Sequence, residues 1–247
     1  MLRKRVIPAL LVKDGSLVKT KHFKKPLYVG DPCNTARIFN EFEVDELIVL
    51  DIGTGNAQEQ INFRLLDELA SECFMPLGYG GRITSVAQAA RIFDLGYEKI
   101  VVNTGALDNP ELISELARKF GSQAVVVSID VTRDVFGHPH VRRRDCGKYH
   151  LSPIQWASKV CELGAGEILI TSVEREGSWQ GLDLVLLKAL VDQVGVPVIA
   201  HGGAGEYSHI RDAFDIGVDA VAVGSMVVFH KKDSGVLVHY EGNMLHV

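Results

Sequence analysis

The run Ala124-Val125-Val126-Val127-Ser128-Ile129-Asp130 is apolar, β-branched and closed by a carboxylate. Without polar alternation it reads as a strand buried on both faces, as in a parallel sheet covered by helices on both sides. Outward from it, similar runs recur at 6–12, 46–51, 77–80, 99–102, 167–171, 198–201 and 220–223. Helical patterns lie between them at about 31–42, 60–71, 85–95, 110–120, 153–163, 182–193 and 207–216. Asp31-Pro32 opens the first helix with a cap and a first-turn proline, and Gly96, Gly121 and Gly164 stop three others. Eight strands alternating with seven helices argue an α/β fold: a (β/α)8 barrel, one domain over residues 1–247. Residues 15–30 read as a long polar loop. A polar insertion after Asp130 reads as a hairpin around Phe136-Gly137. Beyond the eighth strand the pattern predicts only a short helical turn and an irregular or extended tail.

The length of 247 residues suits one such barrel. A net charge of −5 and a pI near 6.0 supply no global basic field for nucleic acid. No apolar run approaches the ~18 residues of a membrane span. The start Met1-Leu2-Arg3-Lys4-Arg5 followed by an apolar run mimics a signal peptide. That run is short, contains Pro8 and meets Lys13 and Asp14 without a small-residue cleavage site, so it reads as a strand. Cys33, Cys73, Cys146 and Cys161 form no CxxC pair and fit reduced thiols of a cytoplasmic protein.

The two halves of the chain echo each other. Gly80-Gly81 recurs 122 residues on as Gly202-Gly203. The stretch 96–104, ending in Asn103-Thr104, recurs 121 residues on as 217–225, ending in Gly224-Ser225. Two half-barrels of four βα units follow. Each half carries a Gly-Gly turn after one strand and a small or hydroxyl pair after the next. Glycine lets backbone N–H groups approach a ligand, and a helix N-terminus favours an anion. Two such constellations on one mouth suit a ligand with a phosphate at each end; the bland alternative is that the glycines only make tight barrel turns. Arg82, after Gly80-Gly81, either contacts a phosphate or blocks the turn.

Asp130 stands where barrel chemistry sits, at a strand's C-terminal end, though Asp also caps turns. At the other rim Arg5, Glu46, Lys99 and Glu167 each stand at the start of a strand. Parallel strands bring their starts together, so two positive and two negative charges meet there. A stabilising salt-bridge ring is the plain reading of such a rim.

The chain resembles the cyclase subunits of imidazole glycerol phosphate synthase, the HisF-like barrels. The likeness covers about residues 3–230. It rests on Arg5-Val6-Ile7-Pro8, Val12-Lys13-Asp14-Gly15, Gly30-Asp31-Pro32, Asp45-Glu46-Leu47-Ile48-Val49-Leu50-Asp51, Asn103-Thr104, the stretch 121–127, the stretch 164–169 and Gly202-Gly203-Ala204-Gly205. The resemblance implies a glutaminase partner that releases ammonia at the bottom, the N-terminal face, of the barrel. The ammonia crosses to the top and reacts with a ribulosyl aminoimidazole ribotide bearing two phosphates, with no metal or cofactor. It assigns Arg5, Glu46, Lys99 and Glu167 to the gate of the ammonia channel and Asp130 to acid–base work. It assigns phosphate and substrate binding to Lys19, Asp51, Thr171, Glu176 and Gly177 alongside the repeated pairs. A second aspartate belongs at the end of strand one, where this chain has Leu11, and losing one of two acid–base groups typically costs ~10²–10⁴ in rate. Asp14, Lys19 and Asp51 are the nearby candidates for a substitute. Glu176 stands where the family usually has aspartate.

A branch of the family shares the leucine and the first-loop residues Leu17-Val18-Lys19-Thr20-Lys21 and Tyr28-Val29-Gly30-Asp31. It is linked to acetamidino modification of surface sugars, with ammonia delivered to an acetamido sugar nucleotide. A non-catalytic glutaminase-activating partner and a one-chain sugar-phosphate isomerase are the remaining readings. Four weaker signals stand apart. His138-Pro139-His140 reads as solvated rather than metal-binding. Arg142-Arg143-Arg144 with Lys148 overhangs the end of strand five. Trp179 either stacks on a base or packs a loop. His201 ends strand seven as a core histidine or a replacement base.

Overall fold

The computed structural model describes residues 3–53, 60–143, 147–148, 151–232 and 235–240. In chain order these form β1 (Arg5–Lys13), β2 (Ser16–Lys21), β3 (Lys24–Gly30), α1 (Pro32–Glu41), β4 (Leu47–Asp51), α2 (Phe63–Ser71), β5 (Leu77–Gly80), α3 (Val86–Asp94) and β6 (Lys99–Val102). There follow α4 (Thr104–Asp108), α5 (Glu111–Phe120), β7 (Val125–Arg133), β8 (Pro139–Arg143), β9 (Gly147–Lys148), α6 (Pro153–Glu162), β10 (Glu167–Ser172), α7 (Leu184–Val191), β11 (Val198–His201), α8 (Tyr207–Asp215) and β12 (Ala220–Val223).

Eight of these strands pair in parallel in the cyclic order β1-β4-β5-β6-β7-β10-β11-β12, and β12 returns to β1 with Arg5 opposite Ala220. The sheet therefore closes into a (β/α)8 barrel with no free edge in its wall. Alternation divides the apolar residues into two shells. Ile7, Ala9, Ile48, Val101, Val126, Leu169, Ile199, Ala220 and Ala222 fill the inside of the barrel, while Val6, Leu10, Leu47, Val49, Ile100, Val125, Val127, Ile168 and Val221 pack outward against the helices.

The helix starts follow capping chemistry. Asp31, Asn62, Ser85 and Asp183 each accept a backbone N–H of the first turn of α1, α2, α3 and α7. The repeat is visible in the backbone: Asn103 before α4 has φ −129° and ψ −90°, and Gly224 before the 3₁₀ turn Ser225–Val227 has φ −112° and ψ −85°. Helix α4 was not foreseen. Beyond β12 the described residues have that 3₁₀ turn and an extended pairing of Phe229 with Val236, as expected, and the rest of the expected tail, 241–247, lies outside the described residues.

Residues 15–30 are not a loop. They form a hairpin, with β2 antiparallel to β1 (Leu11 opposite Val18) and to β3. Two turns with positive φ at both central residues make it: Asp14 (51°) with Gly15 (77°), and His22 (54°) with Phe23 (58°). A second hairpin carries β7 past Asp130 to Arg133 and pairs it with β8, around Phe136-Gly137 as expected. Among the described residues no helix is long and apolar enough to cross a membrane.

Candidate functional site

At the N-terminal rim the four charged residues that start their strands close into one ring. Arg5 reaches Glu46 at 2.6 Å and Glu167 at 3.0 Å, and Lys99 reaches the same carboxylates at 2.9 and 3.2 Å. Each cation touches both anions, and the Glu46 side chain is only 3% exposed. Burial pulls the Arg5 guanidinium down, but Glu167 and Glu46 together hold it above its ordinary value. The inner apolar shell begins directly above, with Ile7 two residues beyond Arg5 and Ile48 two beyond Glu46. Asp45, on the same rim, pairs with Arg3 at 3.3 Å.

At the C-terminal rim the second-half residues Glu176, Gly177, Gly202, Gly203, Gly224 and Ser225 converge with Lys19 of the first half on a narrow cavity of about 20 Å³, which Leu11, His201, Ala204 and Ala222 also line. Leu11 is 6% exposed, so an apolar side chain occupies the strand-one wall. Lys19 reaches down from β2 and its Nζ donates to the Ala9 carbonyl at 2.7 Å. Burial lowers that amine to about 8, with Glu176 opposing the shift. Gly202 and Gly203 have φ of +92° and +111°, and a Cβ there would strike the Ser172 and Gly181 carbonyls at 2.7 and 2.2 Å. Only glycine fits either place. A Cβ on Gly224 would sit 3.1 Å from Lys19 Nζ.

The hairpin of β2 and β3 adjoins this cavity through Lys19, and its tip is held by Glu176, with His22 Nδ1 also 3.4 Å from the Val173 carbonyl. Glu176 accepts from the Thr20 hydroxyl at 2.8 Å and the Phe23 N–H at 3.0 Å through its carboxylate, and from the His22 N–H at 3.0 Å through its carbonyl. Glu176 thus contacts the chain's own hairpin. Nothing in the sequence pointed to this latch except the Asp-to-Glu departure at that position.

The first-half residues behave differently. Gly80 is required by packing, since a Cβ would lie 2.9 Å from both Leu50 and Val101. Gly81 packs on Asp51. Arg82, at φ 57°, neither blocks the turn nor points at open space: its guanidinium reaches Asp51 at 3.3 Å and donates to the Gln60 carbonyl at 3.0 Å. Burial and the neighbouring Asp51 hold the Tyr79 phenol well above its ordinary value.

Between the halves, a polar line crosses neighbouring strands. Asn103 donates to Asp130 at 2.9 Å. Asp130 stands opposite Thr171 in the sheet, and Thr171 opposite His201. The Thr171 hydroxyl, on the neighbouring strand, favours the ionised Asp130 carboxylate and lies 3.2 Å from His201 Nδ1. Burial raises Asp130 to about 6 against the pull of Arg142, Asn103 and Thr171. Burial and Lys19 lower His201 to about 4, so its imidazole is neutral at pH 7. The neighbours of Asp130 were legible as strand ends, but their hydrogen bonds were not.

Of the possible substitutes for the missing carboxylate, Asp14 is exposed at a turn and Asp51 is engaged with Arg82; Lys19 and His201 are in the cavity wall. Thr104 opens α4 beside Asn103. His138 and His140 both lie within 3.4 Å of Asp134 on the second hairpin, and no group of three or more potential ligands among the described residues is placed to hold a metal. Arg142 lies over the Phe23 ring and Arg143 pairs with Asp108. Arg144, Cys146 and the Lys148 side chain lie outside the described residues. Trp179 packs a loop against Gly205.

Residues 5–234 match the family model of histidine biosynthesis proteins. The chain is 48% identical over 242 residues to a Pseudomonas aeruginosa protein named as imidazole glycerol phosphate synthase subunit hisF2, covering 97% of this chain and 96% of that one. It is 42% identical over 246 residues to a HisF-named subunit of Leptospira borgpetersenii, with 97% and 96% covered. It is 42% identical over 238 residues to the imidazole glycerol phosphate synthase subunit HisF of Chloroherpeton thalassium, with 95% and 93% covered.

Proposed function

The chain belongs to the histidine biosynthesis family, among its HisF-like barrels, and from that premise we propose that it is the ammonia-using cyclase subunit of an imidazole glycerol phosphate synthase. The observation that carries the reading is the polarity of the barrel. A closed ring of four charges plugs one end, and a cavity lined by a buried amine and glycine backbone lies at the other, with Asp130 beside it.

A glutaminase subunit docks on the N-terminal face and releases ammonia beneath the ring of Arg5, Glu46, Lys99 and Glu167, which opens to admit it. The phosphorylated ribotide binds at the upper mouth. One phosphate lies against Lys19, Gly203 and Ser225, and the other lies toward Arg82, Asn103 and Thr104. The hairpin lifts to accept a ligand of that size, since the latched cavity holds only a water-sized occupant. Asp130 moves the protons, because a carboxyl held near 6 exchanges them readily at working pH. The products are imidazole glycerol phosphate and an aminoimidazole carboxamide ribotide. The free thiols of Cys33, Cys73 and Cys161 suit the cytoplasm.

One observation favours a second acceptor. Leu11 takes the wall position where the synthase reaction wants a carboxylate. That fits delivery of ammonia to an acetamido group of a sugar nucleotide, forming an acetamidino group. The test is to supply the chain, its glutaminase and glutamine with either acceptor. Turnover of the ribotide, lost in Asp130→Asn, supports the cyclase. Turnover of the acetamido sugar alone supports the variant. Faster glutamine hydrolysis with neither acceptor consumed leaves a glutaminase activator, and absence of any complex defeats all three.

A further inference from the structure

With Leu11 in the strand-one wall, Asp130 is set back from the cavity-lining residues, and polar side chains on neighbouring strands lead from it toward the cavity. Strands β7, β10 and β11 are consecutive in the barrel wall, and their last inward positions are Asp130, Thr171 and His201. The threonine hydroxyl stands between the two titratable groups: Thr171 is the cross-strand neighbour of Asp130, whose ionised form it favours, and its hydroxyl lies 3.2 Å from His201 Nδ1. The second ring nitrogen of His201 faces the cavity, 3.9 Å from where a Gly224 Cβ would stand, with Lys19 Nζ 3.1 Å from that same point.

We propose that His201 is the second proton-handling group of this barrel, passing protons between the cavity and Asp130 through the Thr171 hydroxyl. The proposal rests on the upper mouth being the reaction site, but the relay itself is a property of the free chain.

The step balances without any co-reactant. With Asp130 ionised, the single hydroxyl hydrogen of Thr171 points to the carboxylate, so the threonine oxygen accepts from His201 Nδ1–H. That fixes the tautomer and leaves Nε2 as a bare acceptor in the cavity. When Nε2 takes a proton, the Nδ1 hydrogen passes to Thr171 and the threonine hydrogen passes to Asp130. One N–H bond forms at Nε2 and one breaks at Nδ1; one O–H bond breaks on threonine as another forms, and one forms on the carboxyl. The imidazole ends neutral with its tautomer reversed, and Nε2–H is then a donor. Depressed basicity at His201 fits a group that hands protons on rather than storing them. The charged groups facing this line are Lys19 from β2, Glu176 from the loop after β10, and Arg142 from β8.

Nitrogen-15 NMR of the imidazole in the free chain tests the relay between pH 4.5 and 8. The expected result is an Nδ1–H tautomer at high pH that converts to Nε2–H as Asp130 protonates, with a midpoint near 6. Thr171→Val and Asp130→Asn each abolish the conversion, whereas Thr171→Ser, which keeps the hydroxyl, retains it even if the valine variant folds poorly. A tautomer unchanged over that range in the wild type, or a conversion that survives Thr171→Val, overturns the relay. A normal conversion with no turnover of either acceptor defeats the functional reading and leaves the relay standing.

Discussion

Replacing Lys19 with methionine should make the protein more stable and the site useless. Lys19 is 4% exposed, and burial holds its amine at about 8 instead of the ordinary 10.5. A fall of that size corresponds to about 3 kcal/mol against the charged form. Methionine keeps most of the stem and removes the charge, but it forfeits the hydrogen bond to the Ala9 carbonyl, worth about 1 kcal/mol. The net gain at pH 7 is about 2 kcal/mol, or about 4–8 °C in melting temperature for a chain of this size. The folded-state value lies below the unfolded one. The penalty is therefore full below pH 8 and fades as pH rises toward 10.5, where the amine is neutral in both states. Thermal melts at pH 7 and pH 10 read this directly. Inorganic phosphate at ten times its dissociation constant should add about 1.4 kcal/mol to the wild type and far less to Lys19→Met. A variant that melts lower than the wild type at pH 7, or a gain undiminished at pH 10, would refute the reasoning.

Asp130→Asn should likewise stabilise the fold at pH 8, by about 1–3 kcal/mol, because a carboxyl raised to about 6 carries a penalty when ionised. That gain should shrink as pH falls through 6 toward 4, which melts across the range would show. Lys99→Met leaves two buried carboxylates sharing only Arg5, and should lower stability by about 3 kcal/mol, whereas Lys99→Arg should lose much less. Urea unfolding of both variants measures the difference. Glu176→Ala removes two charge-assisted hydrogen bonds to the hairpin tip, about 3 kcal/mol together, so amide exchange across residues 16–30 should rise on the order of 100-fold. Exchange followed by mass spectrometry checks it, and an unchanged hairpin would mean the latch is idle.

The barrel was legible because its eight strands are continuous apolar runs and its helices carry ordinary caps and glycine stops. The charged ring was legible for the same reason: parallel strands place their first residues on one rim, so Arg5, Glu46, Lys99 and Glu167 had to meet. The first hairpin was missed for a specific reason. Asp14-Gly15 is a strong hairpin turn, but its mate is His22-Phe23, two residues that rarely take positive φ and do so here with Glu176 holding the backbone. That contact spans more than 150 residues, and local patterning cannot carry it. Arg82 failed in the same way, since its partner Asp51 comes from a neighbouring strand. The line from Asn103 to His201 depends on strand register, which the pattern of apolar runs leaves undetermined.

The central claim is that a nitrogen nucleophile enters through the charged ring and reacts at the upper mouth. The direct measurement supplies the complex with glutamine labelled with nitrogen-15 in its amide, in the presence of excess unlabelled ammonium, and reads the label in the product. The account predicts product carrying mostly the glutamine nitrogen, and predicts that Lys99→Met lets the label fall toward the bulk ratio. Product labelled only at the bulk ratio in the wild type would contradict it.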